Sequence, residues 1–131
     1  MIAVDTNVLV RLIVGDDIAQ MNVVEELLVT EDVYILATVV LEVEWVLRSR
    51  YNFDRDRISD ALMSVFALPR ISVERQAAVE WATERYAHGG DFADLMHVAC
   101  VPPGIDAFAS FDRAIVGVAG VNAPVTVKTL G

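Results

Sequence analysis

The sequence is short of cysteine, of basic residues and of long apolar runs, and each shortage excludes a class of protein. The single cysteine allows neither an internal disulfide nor a metal site built from thiolates. Ten Lys and Arg stand against nineteen Asp and Glu, so the net charge is −9, which disfavours a broad basic surface for nucleic acid. No apolar run is long enough to cross a membrane and no signal peptide is visible at the start, so we expect a cytoplasmic protein without membrane contact.

Apolar residues are abundant, at 55% of the 131 residues, and they occur in short segments. No repeat or linker divides the chain, so we expect one domain over residues 1–131 with one hydrophobic core. Five short apolar runs predict strands, at 2–4, 33–36, 71–73, 107–110 and 125–127. Helical periodicity fills the segments between most of them, which predicts an α/β domain with a mainly parallel central sheet of four to five strands.

Two aspartates follow the apolar runs at the point where the strands would end. Asp5 comes directly after residues 2–4, and Asp112 follows residues 107–110. Ligands of such folds bind beyond the carboxyl ends of the parallel strands. Both aspartates are therefore expected at the same edge of the sheet.

Two further acids lie near the start of predicted helices that begin at this edge. Glu42 follows the opening of a helix after the second strand, and Asp94 lies three residues after Asp91 on one face of another helix. Carboxylates gathered at one edge repel each other unless cations lie between them. Oxygen ligands of this kind suit Mg²⁺ or Mn²⁺, which can activate water and orient a phosphodiester.

Each of these acids also has a purely structural explanation. Asp5 and Asp91 are in position to cap helices, and Asp112 is in position to close a turn. Glu42 would be a solvated helix residue, although Glu44 suits that role better because an arginine follows it four residues later. These alternatives remain open for every acid taken alone.

In their order along the chain, the acidic motifs resemble those of PIN-domain nucleases. The four segments are VDTNVL at 4–9, EVEWVLR at 42–48, DFADLMH at 91–97 and SFD at 110–112. The resemblance covers almost the whole chain. Within that family, the length and the third and fourth motifs look most like VapC toxins of bacterial toxin–antitoxin pairs.

The resemblance implies a three-layer α/β/α sandwich, a homodimer and a Mg²⁺- or Mn²⁺-dependent endoribonuclease. It also implies inhibition by a VapB-type antitoxin encoded alongside the toxin. Metal binding and catalysis would fall to Asp5, Glu42, Asp94 and Asp112, with Asp91 as an auxiliary acid close to the site.

Small polar residues beside these acids are expected to support them. Thr6 or Asn7 would orient Asp5 by hydrogen bonding. Ser110 stands where the family commonly has threonine, and its hydroxyl retains the ability to bind a water or a phosphate. Three arginines close to the motifs are candidate contacts for RNA phosphates, namely Arg11, Arg48 and Arg113, unless they only serve helix ends and solubility.

The negative charge suits a basic, disordered antitoxin tail that folds across the acidic cleft. Surplus apolar residues near 23–28 and 58–66 are expected to serve the antitoxin groove or the dimer. Two other functions stay open. One is a non-catalytic, acidic PIN-scaffold interaction module that binds a basic partner. The other is a metal-dependent phosphatase, which would need a second acid where Asn7 stands.

Overall fold

The computed structural model describes residues 1–131 as five strands and seven helices. They form two compact units, Met1–Glu74 and Arg75–Gly131, called here the N-terminal and the C-terminal unit. None of the seven helices combines the length and the apolar character that crossing a membrane requires.

The N-terminal unit is a three-stranded parallel sheet with helical connections. Its strands are β1 (Ile2–Ala3), β2 (Val33–Ile35) and β3 (Ile71–Val73), in the order β1-β2-β3. Parallel neighbours need a crossover, and each crossover here is a pair of helices. The helices are α1 (Thr6–Val14) and α2 (Ile18–Thr30) before β2, then α3 (Ala37–Arg50) and α4 (Arg55–Phe66) before β3.

Aspartates begin three of these four helices. Asp5, Asp17 and Asp54 cap α1, α2 and α4, and each side chain accepts a hydrogen bond from a backbone N–H group of the first turn. Gly15 ends α1 in the left-handed conformation, with φ of 66°, which glycine adopts without a steric penalty. The first acidic residue after β1 therefore has a local structural role.

The core of the N-terminal unit lies between the sheet and its helices. Leu9, Ile35, Leu47 and Leu62 are almost fully buried, and each comes from a different element. Burial of a side chain of this size stabilises a protein by about 1.5–3 kcal/mol. The helix after Asp54 was expected to turn Ile58, Leu62, Val65 and Phe66 inward, and their burial confirms this.

Only one of the two apolar surfaces that we expected to serve a partner is available. The stripe of α4 is internal, since Ile58 and Leu62 are fully buried in the N-terminal unit, so that part of the expectation was wrong. α2 differs, because Ile18, Val23 and Val29 are exposed. The apolar residues of α2 lie on more than one face, and packing covers only one of them.

The C-terminal unit consists of two parallel strands and three helices. The elements are α5 (Gln76–His88), α6 (Phe92–Ala99), β4 (Ala107–Ser110), α7 (Ala114–Ala119) and β5 (Thr126–Thr129). α5 packs against α6, where the rings of Tyr86 and Phe92 meet edge to face with 5.0 Å between their centroids. α7, which supplies the crossover from β4 to β5, was not predicted because its six residues are too few for a periodic pattern.

The α/β class and the parallel pairing are confirmed, and the five strands lie at or next to the predicted runs. The expected single sheet is instead two ladders, of three and two strands. β1 contributes only two residues, so it offers few backbone groups for a second ladder beyond β2. A single domain over 1–131 stays a prediction.

Truncation of a core residue of α4 should destabilise the protein strongly. We expect Leu62→Ala to lower the free energy of unfolding by about 2–5 kcal/mol, because a buried cavity is created. Val23→Ala, on the exposed face of α2, should change it by less than about 0.5 kcal/mol. Urea denaturation followed by circular dichroism measures both, and equal effects would contradict the assignment of α4 to the core.

Candidate active site

Asp5 lies just past β1 and caps α1. Its Oδ1 accepts a hydrogen bond of 2.7 Å from the backbone N–H of Thr6, so the capping role is confirmed. The residue is exposed and its other carboxylate oxygen has no hydrogen bond. A carboxylate has two oxygens, so capping by one leaves the second available to a ligand.

Thr6 and Asn7, which were both expected to support Asp5, lie in different environments. Thr6 is buried and holds Asp5 through its backbone N–H group. Asn7 is exposed and lines a cavity between α1 and α2 together with Arg11. Orientation of Asp5 by either side chain stays a prediction.

The two glutamates of α3 exchange the environments that the sequence suggested. Glu42 is exposed, whereas Glu44 is only 3% exposed and forms an ion pair with Arg48, with 2.7 Å between Oε2 and Nε. The predicted pairing is confirmed, but the expectation that Glu44 is the solvated residue was wrong. The side chain of Arg48 therefore gives the buried carboxylate of Glu44 an oppositely charged partner within the unit.

The C-terminal unit brings three of the predicted acids into electrostatic contact. Asp91 caps α6 and accepts a hydrogen bond of 3.0 Å from the backbone N–H of Asp94. Partial burial raises the pKa of Asp94, and the negative charges of Asp91 and Asp112 raise it further. His97 acts in the opposite direction and lowers this pKa.

Asp112 is fixed by a short turn after β4. Its backbone N–H donates to Ser110 Oγ at 3.0 Å, and its Oδ1 accepts from the backbone N–H of Ala114 at 2.9 Å. The turn role of Asp112 is therefore confirmed, and its second oxygen has no hydrogen bond. The hydroxyl of Ser110 supports the backbone of Asp112 directly.

These acids fit a divalent cation by the chemistry of their oxygens. No three His, Cys, Asp or Glu side chains are grouped closely enough to hold one ion together. Mg²⁺ does not need such a cage, because it keeps several waters and binds to one or two carboxylates. The negative charge of Asp112 repels that of Asp94, and His97 is the one group that acts against this repulsion. A bound cation would relieve it.

The three candidate phosphate-binding arginines are engaged to different degrees. Arg11 donates to Asp16 at 2.9 Å and to Tyr51 at 3.3 Å. The hydrogen bond to Tyr51 is the largest of the causes that raise the pKa of Arg11 above its ordinary value. Arg48 is paired with Glu44, while Arg113 is exposed and forms no ion pair.

Two side chains near the motifs were not foreseen from the sequence. The first is Glu44, whose burial could have been suspected from the apolar residues around it. The second is Phe111, directly before Asp112, which is 77% exposed. Phe111 lies one residue past the predicted and observed end of β4, and no local pattern shows whether other elements cover a side chain at that position.

Parallel strands, helical crossovers and a group of carboxylates in the C-terminal unit define an α/β protein with an acidic cluster. The chain matches the PIN domain over residues 2–120 and belongs to that family. No curated protein and no solved structure matches it. PIN domains are generally nucleases and typically use divalent metals, so at this level the chain has a nuclease-type fold and is assigned to the hydrolases.

Neutralisation of Asp94 should stabilise the protein at neutral pH. The folded pKa of Asp94 lies above the ordinary value of 3.8, so stability falls as the pH rises from 3.8 to the folded pKa, and the full cost is present above it. We therefore expect Asp94→Asn to raise the Tm at pH 7 in metal-free buffer. The gain should vanish below pH 3.8, where the wild-type carboxyl is protonated in both states.

Calorimetry at pH 7 and at pH 3 measures this difference. Glu84→Gln is the control, because it removes an exposed carboxylate of α5 in the same unit. A Tm gain for Asp94→Asn that persists unchanged at pH 3 would contradict an electrostatic origin.

Proposed function

We propose that the chain is a Mg²⁺- or Mn²⁺-dependent endoribonuclease of the VapC-toxin type that hydrolyses RNA phosphodiester bonds. The observation that carries the proposal is the environment of Asp94 in a chain of the PIN family: partial burial raises its pKa, and the charges of Asp91 and Asp112 repel its carboxylate. Repulsion of this kind lowers stability, and a cation-dependent function gives a reason for it.

Asp5, Glu42, Asp94 and Asp112 are the proposed metal ligands and catalytic residues. Each of these acids is at least partly accessible, and Asp5 and Asp112 are held by backbone hydrogen bonds that leave one oxygen free. A divalent cation would supply activation of water and stabilisation of the leaving oxygen. Asp91 has an auxiliary role, since it fixes the first turn of α6 on which Asp94 lies.

RNA phosphates would meet local basic groups, because the overall charge repels them. Arg113 directly follows Asp112 and has no counter-ion within the chain. Arg11 is exposed enough for a contact but is shared with Asp16 and Tyr51. Arg48 serves first to neutralise Glu44, so its contribution to RNA binding is expected to be the smallest of the three.

A VapB-type antitoxin and a second copy of the chain are the proposed protein partners. Residues 16–32, which include α2, contain six acids and no lysine or arginine. The exposed side chains of Ile18, Val23 and Val29 lie in the same segment. A mostly apolar cavity of about 400 Å³ between α1 and α2 adds a place for an anchoring side chain. A basic segment with an apolar face would complement this surface.

A non-catalytic interaction module is the second candidate function. The observation that favours it is the lack of any preassembled group of three metal-binding side chains. Such a module would use the acids only to bind a basic partner. It would bind that partner with or without metal and would cleave no RNA.

Cleavage of RNA should require both a divalent metal and the proposed acids. We expect wild-type protein to cut a labelled structured RNA in Mg²⁺ or Mn²⁺ and not in EDTA. Asp5→Asn and Asp94→Asn should each lower the rate by about 100-fold or more, which corresponds to about 2.7 kcal/mol of lost transition-state stabilisation. Asp60→Asn removes an exposed carboxylate from α4 and should cut at the wild-type rate.

The two candidate functions give opposite results in this assay. Metal-dependent cleavage that is lost in both site variants supports the nuclease. A folded wild type that cleaves none of several RNAs in either metal would contradict it, and the interaction module would then be the better account.

The homodimer is tested by the mass of the purified chain in solution. We expect light scattering to give twice the chain mass, because the exposed apolar residues of α2 gain burial in a complex. Val23→Asp places a charge on this surface, and it should favour the monomer if α2 forms the contact. A wild type that stays monomeric at high concentration would contradict the dimer.

A further inference from the structure

Phe111 differs from the other phenylalanines of the chain in its exposure. Phe53, Phe66 and Phe92 are each less than 10% exposed, whereas Phe111 is 77% exposed. It lies at the carboxyl end of β4, directly between Ser110 and Asp112. An aromatic ring left in solvent beside the acidic residues needs an explanation, since its burial would be favourable.

The backbone on both sides of Phe111 is fixed. The carbonyl of Ser110 accepts a hydrogen bond of 2.8 Å from the N–H of Leu130, which continues the β4–β5 ladder. On the other side, Asp112 is held by Ser110 and caps the N–H of Ala114. The ring is therefore presented from a rigid turn, and a bound group would not have to order this backbone first.

The residues that follow Phe111 in the chain complement another part of a nucleotide. Asp112 precedes the exposed and unpaired Arg113, which offers a positive group for a phosphate. The ring itself offers an uncharged planar face. Nucleobases that are not paired in a duplex stack on such rings, and stacking is insensitive to the negative charge of the protein.

We propose that Phe111 is a stacking platform for an unpaired nucleobase of the RNA substrate. This inference rests on the proposed ribonuclease function and adds to it a preference for single-stranded or looped RNA. The base stacks on the ring while the neighbouring phosphate lies near Asp112 and Arg113. Phe111 is a positioning and specificity residue, because it holds the nucleotide and does not act on the reacting atoms.

The test compares rings of different stacking ability on the same turn. Phe111→Leu keeps an apolar side chain without a π face, and Phe111→Trp keeps and enlarges the face. Val121→Ala is the control, because Val121 is fully exposed in the same unit. Both positions are solvent-facing, so the three variants should fold, which circular dichroism checks.

Binding is measured by fluorescence anisotropy with labelled single-stranded RNA in metal-free, low-salt buffer. Phe111→Leu should raise the Kd by about 5- to 100-fold, the range found when one stacked base is lost. Phe111→Trp and Val121→Ala should bind as tightly as the wild type or, for tryptophan, more tightly. Fully double-stranded RNA should show no difference between the variants, because its base faces are already stacked.

Cleavage and a fluorescent base supply readouts that loss of structure would not reproduce. In Mn²⁺, Phe111→Leu should raise KM by the same factor as Kd and change kcat less. RNA that contains 2-aminopurine should be quenched by the wild type and by Phe111→Trp, and not by Phe111→Leu.

The failure of this inference is distinguishable from failure of the proposed function. If the wild type cleaves RNA and Phe111→Leu has the wild-type Kd, KM and quenching, the stacking role is overturned and the nuclease stands. The ring would then serve a protein contact. If the wild type neither binds nor cleaves any RNA with metal, both proposals are overturned.

Discussion

Repulsion between carboxylates is the constraint that organises the candidate site. Asp94 is partly removed from solvent and faces the charges of Asp91 and Asp112, and only His97 acts against them. The fold does not avoid this cost, because Asp91 and Asp112 are each fixed by a backbone hydrogen bond. Carboxylates held in fixed positions bind a cation more tightly than carboxylates on mobile side chains, because less conformational entropy is lost when the ion binds.

The parallel sheet explains why the acids follow the strands. Each parallel strand is followed by a crossover connection, which here contains a helix. The backbone N–H groups in the first turn of that helix have no partner within the helix and need a hydrogen-bond acceptor. Asp5 after β1 and Asp112 after β4 meet this need. The need for a cap or a turn and the need for a ligand thus select the same residue type at the same positions. For this reason, the structural role of each acid is not an argument against its chemical role.

The sequence predicted the alternation of strands and helices and the position of every proposed ligand relative to them. β3 and β4 have the predicted bounds, and the caps of α1 and α6 were named correctly as alternatives. These features depend on local patterns, which a sequence displays directly.

Features that depend on tertiary packing were missed. Glu44 is buried and Glu42 is exposed because of the face that α3 packs against the rest of the N-terminal unit, and because Arg48 pairs with Glu44. The division of the strands into two ladders depends on pairing between distant segments. The exposure of Phe111 depends on which elements pack beside the turn that follows β4. No local periodicity carries that information.

An acidic nuclease must hold a polyanion by means other than a basic surface. With a net charge of −9, the proposed phosphate contacts are few, and Arg113 is the only one of the three candidate arginines without an acidic partner in the chain. Stacking on an uncharged ring adds affinity that the charge does not oppose. Under these proposals the excess of acids does not serve the substrate. It favours a basic protein partner. Affinity for RNA and affinity for the antitoxin would then depend on different physical interactions, and substitutions could change one without the other.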